Sequence, residues 1–354
     1  MPAAVDILLV SPGTTSGWRE ADRALADAMR SLGLSVAVAR PTFRLARHLR
    51  RGILATDLVE AAASRRAASQ ALGTHQPRAI VFSTVQATML QPRRRLRGAA
   101  VRFDAPPSLN RRTAGARLLR MLERRGLSRA ALLLPYGLRP AEQIRDAIDV
   151  DASMISLPVP IEGLNPLRQR QPIALAYAGN PGKKGLDMIV RAWEQADCGE
   201  RRLVVAGIAA NRGRAFLRGQ AIAEPPAIEW AGVLGAARFR ALVSRAELFL
   251  SASRYEDYGQ SQLEALAGGA LLVTSPSPGP YEALGLAREL DANLVAADMQ
   301  PASLAAALEE AIGRAPQQRS SYRERAAALT AAYSAHELRR RLRRDVLPVL
   351  LGDR

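Results

Sequence analysis

Lysine is almost missing from this 354-residue chain: of its 50 basic residues, only the adjacent Lys183 and Lys184 are not arginine. Cysteine is reduced to Cys198, which excludes an internal disulfide, fits a reducing compartment and leaves a thiol that reads as inert. The three histidines, His48, His75 and His336, have no metal-ligand spacing and read as surface residues. Aromatic residues make up 5% of the chain, and Trp18, Trp193 and Trp230 read as core or interface positions. No uninterrupted apolar run approaches the ~18 residues that a membrane-spanning helix needs. The N-terminal VDILLV is strand-length and lacks the basic lead and cleavage site of a secretory signal. The expectation is a cytoplasmic protein, soluble or peripheral at the inner membrane face.

Charge is abundant but one-sided. The net charge is +17. Residues 1–150 carry 25 Arg against 11 acids, giving +14, and residues 151–354 carry only +3. Such a bias suits an anionic partner, whether phospholipid, nucleic acid or phosphorylated substrate, and equally suits arginines that merely solvate helix faces. Arg44–Arg51 and Arg93–Arg97 suit membrane phosphates and equally suit solvated helix and loop surface. Nucleic acid is the less favoured partner, because aromatic residues do not interleave with the basic ones.

Apolar runs of strand length alternate with helical patterns throughout. VDILLV (5–10), VAVAR (36–40), AIVFS (79–83), AAVRF (99–103) and ALLLP (131–135) read as strands of a first set. The Pro-rich passage 156–172 reads as a hinge. IALAYAG (173–179), RLVVAGI (202–208), AIEWAG (227–232), ELFLSAS (247–253) and ALLVTS (270–275) form a second set. This alternation implies α/β architecture with parallel sheets. Two doubly wound, Rossmann-like domains facing a central cleft are expected, over 1–163 and 164–335, with a basic C-terminal helix in 336–354 free to pack back on the first. Ligands of open α/β sheets sit beyond the carboxyl ends of the strands, and the chain's motifs fall there.

Two motifs stand out. In AYAGNPGKKGLDMIV a strand runs through Gly179, Asn180, Pro181 and Gly182 into the lysine pair, Gly185 and a helix. Exposed backbone N–H groups, a helix N-terminus and ammonium charge together suit a diphosphate. In RYEDYGQSQLEALAGGALLVTS, Glu256 precedes the Gly259 turn and Glu264 follows it inside a helix. Glu256 is placed to accept hydrogen bonds from a polyol. Glu264 has a local alternative, since Ser261-x-x-Glu264 fits a capping box.

Taken together, these stretches resemble family-4 retaining glycosyltransferases of the GT-B fold, whose Glu-x7-Glu signature usually reads E-G-F-G-x-P-x-L-E-A-M-A. YAGNPGKKGLDMIVRAW resembles their donor-phosphate loop, and SPSPGPYEAL their glycine loop followed by a Glu, here Gly279 and Glu282. The resemblance covers about residues 170–285. It implies a hexosyltransferase-type enzyme that moves a sugar from a nucleotide-diphosphate sugar to a hydroxyl acceptor, with no cofactor and no required metal. It places Lys184 on the diphosphate, assisted by Lys183 and Asn180. Glu264 falls on the ribose hydroxyls, Glu256 on the donor sugar as the catalytic candidate, and the backbone of Gly259, Gln260 and Ser261 near sugar and phosphate. Gly13 and Gly17 occupy the first glycine loop, which faces the donor, and Asp104 is the acceptor-side candidate. The chain departs from the pattern at Asn180, where an Arg is frequent, and at Phe103, where a His is frequent. A nucleotide-sugar epimerase on the same fold, a non-catalytic sugar-nucleotide binder and a basic scaffold are the competing readings.

Overall fold

The computed structural model describes residues 2–42, 53–106, 108, 116–148, 150, 152–164 and 170–352. The apolar runs form two five-stranded sheets, each wholly parallel. The chain divides into two compact units, Met1–Pro160 with Tyr333–Arg354, and Ile161–Ala332.

In the first unit, β1 (Ala3–Val10), α1 (Ser16–Ser31), β2 (Val36–Ala39), α2 (Ile53–Thr74), β3 (His75–Phe82), α3 (Arg93–Leu96), β4 (Ala99–Phe103), α4 (Ala116–Leu127), β5 (Leu132–Pro135) and α5 (Leu138–Ile148) follow in order. The strands pair as β2-β1-β3-β4-β5. Alternate side chains of a strand point to opposite faces, so β1 serves two cores. Ile7 and Leu9 pack with Leu25 and Met29 of α1, whereas Leu8 and Val10 pack with Ala68 of α2, Phe82 and Leu96. Burial on both faces explains why these strands are continuously apolar and not alternating.

The second unit begins with β6 (Gln171–Tyr177), α6 (Leu186–Gln195), β7 (Arg202–Ala206), α7 (Ala210–Gly219) and β8 (Ile228–Gly232). It continues with α8 (Ala236–Arg245), β9 (Ala246–Ser251), α9 (Gln260–Ala267), β10 (Leu271–Thr274), α10 (Glu282–Asp291), α11 (Pro301–Gly313) and α12 (Pro316–Thr330). Its order is β10-β9-β6-β7-β8, which puts β6 and β9 side by side at the centre. The loops that leave these two strands carry both sequence motifs.

The chain then returns to the first unit as α13 (Ala335–Arg341) and α14 (Leu347–Leu351), joined by a π-helical turn over 342–346. Leu338, Leu342 and Val346 are fully buried in the core built on Ile7 and Leu9. A basic C-terminal helix in 336–354 is the sequence expectation; the observed helical stretch is wound looser over 342–346. Cys198 is buried, and burial pushes its thiol up to about 11, in keeping with an inert thiol.

Candidate functional site

The phosphate-type loop begins where β6 ends. Asn180 shapes it: its Oδ1 accepts from the Lys183 N–H at 3.1 Å, and its carbonyl accepts from the Lys184 N–H at 2.8 Å. Gly185 then starts α6 with φ +64°, and a Cβ there would lie 2.0 Å from the Ala252 carbonyl oxygen. Only glycine allows the loop to approach the end of β9 this closely.

The loop after β9 is tied to it by four links. The Arg254 N–H donates to the Lys183 carbonyl at 2.8 Å. The Arg254 guanidinium bridges the Gly182 carbonyl and Asp187, reaching the Asp187 carboxylate at 2.6 and 3.0 Å. Lys183 Nζ contacts Asp257 Oδ2 at 2.6 Å, and Lys184 Nζ contacts Glu256 Oε2 at 2.6 Å. Consecutive lysines therefore meet consecutive carboxylates.

The two pairs differ in burial. Lys183 is more than a third exposed, whereas the Glu256 side chain is 6% exposed. Ser253 Oγ at 2.8 Å and Gln262 Nε2 at 3.1 Å donate to the same Glu256 oxygen that meets Lys184. Burial pushes the Glu256 carboxyl upward, but the charge and hydrogen bond of Lys184, with the Ser253 hydroxyl, hold it below its ordinary value. Glu256 is thus kept ionised in a nearly dry position.

Gly259, with φ +86°, turns the chain into α9, and a Cβ there would meet the Tyr281 ring at 2.6 Å. The helix starts at Gln260 with Gly259 as its N-cap and no side-chain cap. This corrects the capping-box alternative. Ser261 Oγ donates to Gln262 Oε1 at 2.8 Å, and the buried Glu264 accepts from Arg240 Nε of α8 at 3.1 Å. Glu264 is a buried, ion-paired carboxylate, and the local spacing of Ser261 and Glu264 does not report its role. Gln260 Oε1 is buried without a hydrogen-bond partner.

In the first unit, the loop after β1 holds Gly13 at φ +56°, and its carbonyl accepts from the Arg19 guanidinium at 2.9 Å. Gly17 is the exposed second residue of α1. Asp104 follows β4. Its Oδ2 accepts from Trp18 Nε1 at 3.1 Å and its Oδ1 from the Ala105 N–H at 2.8 Å. The Gly13 loop, the first turn of α1 with Gly17, and the acidic residue therefore meet at the carboxyl ends of β1 and β4. Beneath them lies the fully buried Arg102, which donates to the Ala21 carbonyl at 3.0 Å and stacks 4.5 Å above Tyr136. Phe103 is a core residue.

Sequence reasoning missed Asp187, Arg240, Ser253, Arg254, Asp257 and Gln262. The signal for Asp257 was present, since it stands where the quoted signature has a glycine. Trp18, expected in core or interface, is a half-buried hydrogen-bond donor to Asp104. Trp193 is buried in α6, and Trp230 donates to Glu224 at 2.9 Å. His48 and Arg44–Arg51 lie outside the described residues; of Arg93–Arg97, Arg93, Arg94 and Arg97 are exposed. Among the described residues no three His, Cys, Asp or Glu side chains are grouped to hold a metal ion. No described helix is long and apolar enough to cross a membrane.

The fold is that of GT-B glycosyltransferases. Sucrose-phosphate synthase from Thermosynechococcus elongatus superposes with a TM-score of 0.73 at 13% identity, over 97% of each chain. WaaG, a glycosyltransferase involved in lipopolysaccharide biosynthesis, gives 0.72 at 13% identity, over 99% of this chain and all of its own. HepE from Anabaena, in complex with UDP and glucose, gives 0.69 at 13% identity, over 96% of this chain and 98% of its own. Residues 172–314, which hold both loops of the second unit, match the family model described as glycosyl transferases group 1. No curated protein matches this chain.

Proposed function

We propose that the protein is a retaining glycosyltransferase that moves a hexose from a nucleotide-diphosphate sugar to a hydroxyl acceptor. The observation that carries this is the laced pair of loops, in which Lys183 and Lys184 sit against Asp257 and Glu256 at the carboxyl ends of β6 and β9. Ammonium groups, a helix N-terminus and a buried ionised carboxylate are what a sugar diphosphate requires in one place. That HepE is described with UDP and glucose, on the same fold, supports the donor class.

On this reading Lys184, with Lys183, contacts the diphosphate. The Gly259, Gln260 and Ser261 backbone lies along phosphate and sugar. Asn180 acts through the loop it shapes. Glu256 accepts hydrogen bonds from donor-sugar hydroxyls, and Glu264 from ribose hydroxyls. Gly13 belongs to the glycine loop of the first unit and Gly17 to the first turn of the helix that follows it, and Asp104 stands on the acceptor side. In the transfer itself, the acceptor oxygen attacks the anomeric carbon on the face the diphosphate leaves. The bond from carbon to phosphate oxygen breaks, and the hydroxyl proton passes to the departing phosphate. Lys184 stabilises the charge that develops on that phosphate, so a divalent metal is not required. The +14 of the N-terminal 150 residues suits a cytoplasmic enzyme working at an anionic membrane surface.

The test is a thermal-shift panel of UDP, GDP, ADP and dTDP sugars on wild type, Glu264→Gln and Glu256→Gln. One nucleotide class is expected to raise the melting temperature of wild type, with the rise lost in Glu264→Gln for nucleotide and sugar nucleotide alike. In Glu256→Gln it is expected to be lost only for the sugar nucleotide. The absence of any stabilisation in wild type would sink the reading.

A further inference from the structure

Each of the three cations in the two laced loops already has a carboxylate. Lys183 meets Asp257, Lys184 meets Glu256 and Arg254 meets Asp187, so three positive charges face three negative ones. A sugar diphosphate brings negative charge of its own, and a cluster of zero net charge attracts it poorly. One cation must therefore change partner when the diphosphate arrives, and burial decides which. Arg254 is fixed by both oxygens of Asp187 and by the Gly182 carbonyl. Lys184 is bound to a carboxylate that is 6% exposed, and leaving it would strand that charge in a dry place. Lys184 serves a phosphate without leaving, since an ammonium has three N–H groups and Glu256 takes one. Lys183 and Asp257 are 37% and 20% exposed, so water is at hand for whichever of them is released. The backbone of Lys183 stays put, because Asn180 holds its N–H and Arg254 its carbonyl. Only the side chain has to move.

We propose that Asp257 sets the affinity for the nucleoside diphosphate as an internal competitor, holding Lys183 in the unliganded protein and taking it back when the diphosphate leaves. On binding, Lys183 Nζ turns from Asp257 Oδ2 to a phosphate oxygen, and on release it returns; no covalent bond changes. Asp257 directly follows Glu256 and Lys183 directly precedes Lys184, so the labile pair lies beside the fixed one. The signature quoted above has a glycine at this place and so no competitor, which makes the device particular to this chain. A purely structural use of Asp257 is the plainer alternative. The loops are already joined through Arg254 and Lys184, however, and a partly exposed pair adds little to them. A product held by both lysines without competition would leave slowly, and product release limits the turnover of many enzymes. The inference rests on the function proposed above and adds to it the residue that tunes release.

The experiment is calorimetric titration of the full chain with UDP, GDP, ADP and dTDP at fixed salt. Wild type is compared with Asp257→Asn, Lys183→Met and the double variant that combines them. Both side chains are partly exposed, so the variants should stay folded, and melting temperatures without ligand are measured in parallel. Asp257→Asn should bind the preferred diphosphate about fivefold more tightly than wild type, the worth of a partly exposed ion pair. Asp257→Gly, which installs the residue of the signature, removes the same carboxylate and should give the same gain. Lys183→Met should bind more weakly, and adding Asp257→Asn to it should restore nothing, because the competitor then has nothing to hold. Equal affinity of wild type and both Asp257 variants would overturn the exchange. So would a fivefold gain that survives in the double variant, which would mean that Asp257 repels the phosphate directly. Failure of every protein to bind any of the four nucleotides would overturn the proposed function, and this inference with it.

Discussion

Lys183 and Lys184 are neighbours in sequence with identical charge, yet their surroundings give them different weights. Lys184 pairs with a carboxylate whose charge burial disfavours, and removing one partner of such a pair leaves an uncompensated charge in a dry place. Lys184→Met is expected to cost about 3 kcal/mol of stability, and adding Glu256→Gln should restore most of it. Lys183, more exposed and paired with the partly exposed Asp257, should cost about 0.5 kcal/mol when changed to Met. Chemical denaturation of the four proteins without ligand checks the ordering; equal losses at the two lysines would refute it. On the proposed function Lys183→Met should nevertheless weaken donor binding, read in the same thermal-shift panel. The lysine pair and the two glutamates were legible from sequence because residue type and spacing are local. Asp257, Ser253, Gln262 and Arg240 were not, because each acquires its meaning from a partner brought close only by folding, as Asp257 does across 74 residues.

Elements were more legible than contacts. Each of the ten apolar runs forms a strand, nine of them with an end displaced by one to four residues and AAVRF with none. Period and composition set the body of a strand, whereas its ends depend on which neighbour supplies hydrogen bonds. β3 shows this, running on from α2 through His75 and Pro77 by pairing with Ala3 and Val5 of β1. The start of α9 was not legible for a related reason. The spacing of Ser261 and Glu264 satisfies a local capping rule, but Arg240 from another helix holds the carboxylate. Two expectations belong at this scale. Gly185→Ala would need a positive φ and would place Cβ against the Ala252 carbonyl, so a loss of about 3 kcal/mol is expected from denaturant titration. Glu337, in the first turn of α13, accepts from Arg340 and Arg341, and chiefly the Arg340 hydrogen bond holds its carboxyl down at about 2, against an ordinary 4.5. A depressed carboxylate contributes stability above its unfolded value and loses it as pH falls. Wild type should therefore lose about 1 kcal/mol relative to Glu337→Gln between about pH 4.5 and pH 2, as followed by urea titration.

At the scale of the molecule, the first unit is discontinuous. Its core is closed by Leu338, Leu342 and Val346, which the chain supplies only after completing the second unit. Burying three such side chains is worth about 5 kcal/mol, comparable with the whole stability of a typical domain. A chain ending at Ala332 should therefore lose amide-exchange protection in β1 and β3 and retain it in β6 and β9. Equal protection in both sheets would contradict this. The +14 of the N-terminal 150 residues was plain in the sequence, but whether it was spread evenly or gathered was not. On α4, Arg117, Arg120, Arg124 and Arg125 stand outward and Glu123 inward, which emerges only once a buried face is known.

The sequence alone determined the alternation of strand and helix, the existence of two parallel sheets, and the residue types that suit a sugar diphosphate. These follow from periodicity and from chemistry that acts within a few residues along the chain. Tertiary structure alone decided that β6 and β9 are adjacent, that the two lysines meet the two carboxylates, that Glu264 belongs to Arg240, and that the C-terminal helices complete the first core. Those are contacts between segments far apart in sequence, set by which strand pairs with which and by the need to bury every apolar face, and no local pattern encodes them.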